Sequence, residues 1–248
     1  MNKLILHIPH ASTRLPHGFY NKTMLEKEKI KIFNKDISDL YVDDLFGCGI
    51  RKHLKAKYSR IFCDMEKFVD DTKEEMSRYG MGVIYTNTNN KEKFLCPSEE
   101  YKKRVISNYY FNYHKRLDKI VKKQLTKNRV ILIDCHSFSK KIIMHRNLQN
   151  NLPDICIGFD SLYYSEKLIS YIKSYFEALG YSVKFNYPYS GTMIPDKFID
   201  DKVDNLYAVM IEINKSVYLD DKNCKTKNYR KLKKQIYQLL KCVEKLKF

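Results

Sequence analysis

His10 and His136 each close an apolar run, in LILHIPH and VILIDCH, and imidazole is a favoured ligand for zinc. A catalytic zinc takes three protein donors and keeps a fourth position for water, so one further ligand is needed. A carboxylate is expected there. Asp39 is the first choice and Asp43 the second, because a helical reading of ISDLYVDDLF, from Ile37 to Phe46, puts both on one face four residues apart. Two histidines in ordinary loops would leave the same trace, since no short regular spacing ties these residues together.

Glu212 lies inside VMIEIN, where an ionised carboxylate flanked by apolar residues is costly to bury unpaired. A metal-activated water is one partner for it, and burial would raise its pKa into the range of a general base. An ion pair with Arg60 or a lysine is the alternative. Arg60 and Asp64 in SRIFCD, and Lys215 beyond Glu212, place charge near strand ends, where they serve a site or a structural ion-pair network. The segment Asn186-Tyr-Pro-Tyr-Ser-Gly191 joins a rigid Pro to a permissive Gly, so it is a shaped loop able to offer N–H groups, or an ordinary turn. His7, inside the first apolar run, is expected to be a satisfied core histidine.

Several elements must carry these groups. Leu4–Ile8 is expected to be a buried strand ended by Pro9, which delivers His10 to the loop at its C-terminal end, where α/β sites usually sit. Further strands are expected at Tyr58–Asp64, Arg129–Cys135, Ser182–Phe185 and Ala208–Asn214. Helices are expected from Ser98, as cap, to about Lys123, from Ser165 to Leu179, and from Tyr229 to Lys245. Alternating strands and helices predict a three-layer α/β/α fold with a mainly parallel central sheet, and the absence of linkers or repeats predicts one domain over residues 1–248.

Composition narrows the classes. A 44% hydrophobic fraction with 13% aromatics excludes disorder, and no apolar run has the length of a membrane span. The N-terminus lacks the long apolar stretch of a signal peptide, so a cytoplasmic location is expected. Seven scattered cysteines without a CxxC pair predict reduced thiols. A net charge of +17 raises a polyanion partner, but the lysines are spread along the chain, and nucleic acid is not the expected ligand.

Together HIPHAS (7–12), DLYVDDLF (39–46), SRIFCDMEKF (59–68), GMGVIYT (80–86), IDCHSFS (133–139), PDICIG (153–158), NYPYSGT (186–192) and IEINKSVYL (211–219) resemble the N-formylglutamate amidohydrolase family. The resemblance implies a mixed sheet like that of the zinc carboxypeptidases, a phosphorylase- or hydrolase-like fold. It also implies Zn²⁺ held by His10, Asp39 and His136, with Glu212 as general base and Arg60 beside the oxyanion or a substrate carboxylate. A substrate carboxylate would meet cations such as Arg60, Arg14 or Lys215, with hydrogen bonds from Asn186 and the Ser190-Gly191 backbone. The implied reaction is hydrolysis of an N-acyl amino acid, N-formyl-L-glutamate giving L-glutamate and formate. Two features depart from the family: Lys67 stands where many relatives carry Arg, and Ala11, Ser12 and Thr192 occupy regions where glycine is common. Competing readings are a zinc peptidase of other specificity and a non-catalytic polyanion-binding protein of the same fold.

Overall fold

A computed structural model describes residues 2–47, 51–140 and 151–247. The chain falls into two compact units, residues 1–8, 41–54 and 117–248 forming the first and residues 9–40 and 55–116 the second.

The first unit is built on a six-stranded mixed sheet in the order β2-β1-β3-β6-β4-β5. Its strands are β1 (Lys3–Ile8), β2 (Lys52–Lys55), β3 (Val130–Phe138), β4 (Ile155–Gly158), β5 (Val183–Phe185) and β6 (Leu206–Asn214). β1, β3 and β6 run parallel, β4 is antiparallel to β6, and β5 is parallel to β4. All nine residues of β3 are buried, as expected of a central parallel strand, and this explains its near-continuous apolar sequence. The fold class is therefore the expected α/β.

Seven α-helices appear among the described residues: α1 (Lys27–Ile37), α2 (Val42–Leu45), α3 (Glu99–Val105), α4 (Phe111–Leu125), α5 (Glu166–Ala178), α6 (Lys197–Asp200) and α7 (Asn228–Lys245). α7 buries Leu232, Ile236, Leu239, Leu240 and Val243, the i, i+4, i+7, i+8, i+11 stripe of an amphipathic helix. α3 starts where Ser98 Oγ accepts the Tyr101 N–H, and α5 where Ser165 Oγ accepts that of Leu168. One π-helical turn, Ile106–Tyr110, separates α3 from α4, so the expected single helix has an irregular centre.

Several expectations are corrected. No helix spans 37–46: α1 ends at Ile37, Ser38 is extended, and Tyr41 takes a left-handed φ of 65° before α2 begins. Asp39 thus sits in the break and Asp43 on α2, and they do not share a helical face. Tyr58–Asp64 is a turn, with the N–H groups of Phe62 and Cys63 donating to Ser59 O; the strand in this region is β2, ahead of it. β3 continues through His136 instead of stopping before it. β4 was not expected as a strand. Six cysteines are free thiols, and Cys48 lies outside the described residues.

The second unit is organised by Asn34, buried on α1. Its Nδ2 donates to Thr13 O at 2.8 Å, and its Oδ1 accepts from Ser59 Oγ. Ser38 Oγ donates back to Asn34 O at 2.7 Å. These bonds tie the 10–14 segment, the end of α1 and the turn at Ser59 into one frame.

Candidate active site

In the first unit the parallel register sets His136 opposite Glu212, and the antiparallel register sets Glu212 opposite Cys156. Residues paired in register project to the same face of a sheet, so imidazole, carboxylate and thiol form a row across β3, β6 and β4. His136 and Glu212 are 4% and 7% exposed. Burial, joined by the charge of Glu212, pushes the Cys156 thiol up to about 11, so it stays protonated at neutral pH.

The next row on that face holds His7, Asp134, Met210 and Gly158. Asp134 Oδ1 accepts from His7 Nδ1 at 2.7 Å and from His136 Nε2 at 2.8 Å, while Oδ2 accepts the Met193 N–H at 2.8 Å. Burial pushes this carboxyl up, yet His136 and His7 outweigh burial and hold it well below the usual carboxylate range. His7 is buried in the core, as expected, and its Nδ1 meets a carboxylate where a backbone carbonyl was expected. A Cβ on Gly158 would stand 2.3 Å from Met210 Cε and 2.4 Å from Gly191 O, so glycine lets the 186–191 loop approach the strand.

That loop is held from within. Asn186, at φ 49°, accepts the N–H of Phe159 (3.0 Å) and of Gly191 (3.3 Å) on its Oδ1. Gly191, at φ 82°, is a bend whose N–H is used inside the loop, and Ser190 is exposed. Cys156 Sγ donates to Tyr189 O, and Phe138, Leu152 and Tyr189 pack around Cys156. Lys215, buried, opens the short 3₁₀ turn that follows β6.

In the second unit His10 and Asp39 come together: the Asp39 N–H donates to His10 O at 2.9 Å, and His10 Nδ1 stands 3.8 Å from Asp39 Oδ2. The other ring nitrogen, Nε2, is 2.8 Å from Asp64 Oδ1 and 3.4 Å from Glu66 Oε2. Asp64, fully buried, also accepts from Arg60 Nε (2.9 Å) and Nη2 (2.8 Å) and Tyr85 Oη (2.9 Å) on Oδ2, and from the Glu66 N–H on Oδ1. Burial raises its carboxyl, but the Arg60 guanidinium and His10 prevail and keep it well below the usual range. Arg60 is thereby fastened in place, whereas Arg14 is exposed, its guanidinium 5.9 Å from the centre of the Tyr58 ring.

Sequence reasoning passed over Asp134, Glu66 and Tyr85 as site residues and treated Asp64 only as a charge near a strand end. Asp134 had a signal: it precedes His136 by two residues in a strand, which puts both on one face. The bonds that Asp64 accepts from Arg60 and the Glu66 N–H are local, whereas those from His10 and Tyr85 come from separate loops and leave no pattern in the sequence.

The family model for N-formylglutamate amidohydrolase matches residues 2–219. The chain belongs to that family. Among solved structures, the N-formylglutamate amidohydrolase of Ralstonia eutropha JMP134 superposes with a TM-score of 0.83 at 20% identity, covering 98% of this chain and 93% of that one. A gene product of Agrobacterium tumefaciens gives a TM-score of 0.67 at 17% identity, over 98% and 92% of the two chains. At these identities the likeness speaks for the fold. A comparison with curated proteins finds no match. Membership of an amidohydrolase family makes the chain a hydrolase of small molecules. Its described residues include His, Asp and Glu groups able to hold a metal ion, and none of its described helices is long and apolar enough to cross a membrane.

Proposed function

We propose that residues 1–248 act as one functional domain, a cytoplasmic metal-dependent amidohydrolase that converts N-formyl-L-glutamate, or a close N-acyl amino acid, to the free amino acid and the carboxylate. His10, Asp39 and His136 are the proposed ligands of one Zn²⁺. Two imidazoles and one carboxylate, all nearly fully buried, are the donor set of a catalytic zinc with an open position. When bound, the ion supplies an acidified water and a Lewis acid for the scissile carbonyl.

The observation that carries the reading is the pairing of Glu212 with His136 across β3 and β6. A buried carboxylate beside a ligand imidazole is where a general base belongs. Glu212 takes the proton from the attacking water and returns it to the leaving amine, so the amide C–N bond breaks and the nitrogen departs neutral. Arg60, oriented by Asp64, supports the developing oxyanion or a substrate carboxylate. Lys215 and Arg14 supply further positive charge, with Asn186 Nδ2 and the Ser190 backbone as donors beside the Gly191 bend.

Removing metal with a chelator is expected to abolish hydrolysis of N-formyl-L-glutamate, and equimolar Zn²⁺ is expected to restore it. Formate release followed with a coupled assay checks this; undiminished hydrolysis by metal-free protein would refute metal dependence. A parallel screen of N-acyl amino acids identifies the acyl group.

A further inference from the structure

The two proposed ligand imidazoles are gripped through the same ring nitrogen by separate buried aspartates. His10 Nε2 meets Asp64 Oδ1 and His136 Nε2 meets Asp134 Oδ1, each at 2.8 Å. The surroundings of each aspartate fix the direction of the bond. Asp64 also faces the Arg60 guanidinium, the Tyr85 hydroxyl and the Glu66 N–H, so its oxygens act as acceptors and His10 Nε2 donates. Asp134 faces the Met193 N–H on one oxygen and His7 Nδ1 on the other, and His136 Nε2 likewise donates. A neutral imidazole that carries its proton on Nε2 has its lone pair on Nδ1. For His10, Nδ1 is also the atom on the side of Asp39, at 3.8 Å.

We infer that Asp64 and Asp134 are positioning residues that fix His10 and His136 as Nε2–H tautomers, so that Nδ1 of each is the metal-binding atom. His7 acts through Asp134. Its Nδ1 shares Oδ1 with His136 Nε2 and, with the Met193 N–H on Oδ2, stops the carboxylate from rotating away. Hydrogen-bonded carboxylates of this kind orient ligand histidines and raise their basicity. The inference rests on the metal-site reading above, and its test is separable from it.

Metal-free protein with ¹⁵N-labelled histidine, observed by long-range proton–nitrogen correlation near neutral pH, is expected to show both residues protonated on Nε2 and not on Nδ1. Zinc affinity, measured by competition with a chromophoric chelator, is expected to fall about 10–100-fold in Asp134→Asn, whose folding is checked by circular dichroism. Protonation on Nδ1 of either histidine overturns the inference, as does a folded Asp134→Asn protein with zinc affinity within twofold of the parent. Should Asp134→Asn fail to fold, the tautomers of the unsubstituted protein decide. An unsubstituted chain that takes up no zinc would defeat the functional reading, while the tautomer spectrum would still decide this one.

Discussion

Glu212→Gln is expected to lower kcat by at least about 100-fold, the lower end of general-base effects, while zinc content and thermal stability stay near those of the parent. Gln keeps the shape of the side chain and its place in the β6 ladder but cannot accept a proton. The neighbours in its row offer no substitute: the Cys156 thiol, pushed up to about 11, is protonated at neutral pH, and His136 is committed to Asp134 and to the proposed ion. Activity would therefore fall without loss of binding, so kcat should drop far more than KM rises. A Glu212→Gln enzyme turning over within tenfold of the parent would remove Glu212 from the role of base.

The second large effect concerns the fold. Asp64→Ala is expected to destabilise the protein by about 3–5 kcal/mol, because it strands the partly buried Arg60 guanidinium and leaves Tyr85 Oη and His10 Nε2 without their acceptor. Linkage adds a pH signature. The Asp64 carboxyl titrates well below its ordinary value in the folded chain, so its contribution is complete above the unfolded value of about 4. It is lost as pH falls from there through the folded value. Urea unfolding of parent and variant at pH 7 and pH 3 checks both points: the gap should be wide at pH 7 and narrower at pH 3. An equal gap at both pH values would mean that Asp64 is not held ionised by its neighbours.

The parts of the fold that were legible in the sequence are those whose physics is local. β1, β3 and β6 are continuous apolar runs because they lie buried within the sheet, and α7 declares itself through an unbroken amphipathic stripe. His10 could be placed beyond β1 because Pro9 cannot extend a ladder. Where tertiary context sets the backbone, periodicity misled. ISDLYVDDLF has helical spacing, but Ser38 turns back onto Asn34 and Tyr41 adopts a left-handed φ, which breaks the helix at Asp39. SRIFCD reads as a strand, yet its first residue nucleates a turn, and Asp64 is placed by side chains from other loops. Of the carboxylates that steer the candidate ligands, Asp134 stands two positions before His136 and is legible from strand alternation, whereas Asp64 is 54 positions from His10 and leaves no sequence pattern with it.

X-ray absorption at the zinc edge, recorded on protein loaded with one equivalent of Zn²⁺, reports the atoms that hold the ion. A shell of two imidazole nitrogens and a carboxylate oxygen at about 2.0–2.2 Å, with no sulfur, is the expected result. A sulfur shell at about 2.3 Å, drawn from the chain's free thiols, or a spectrum without imidazole scattering, would contradict it.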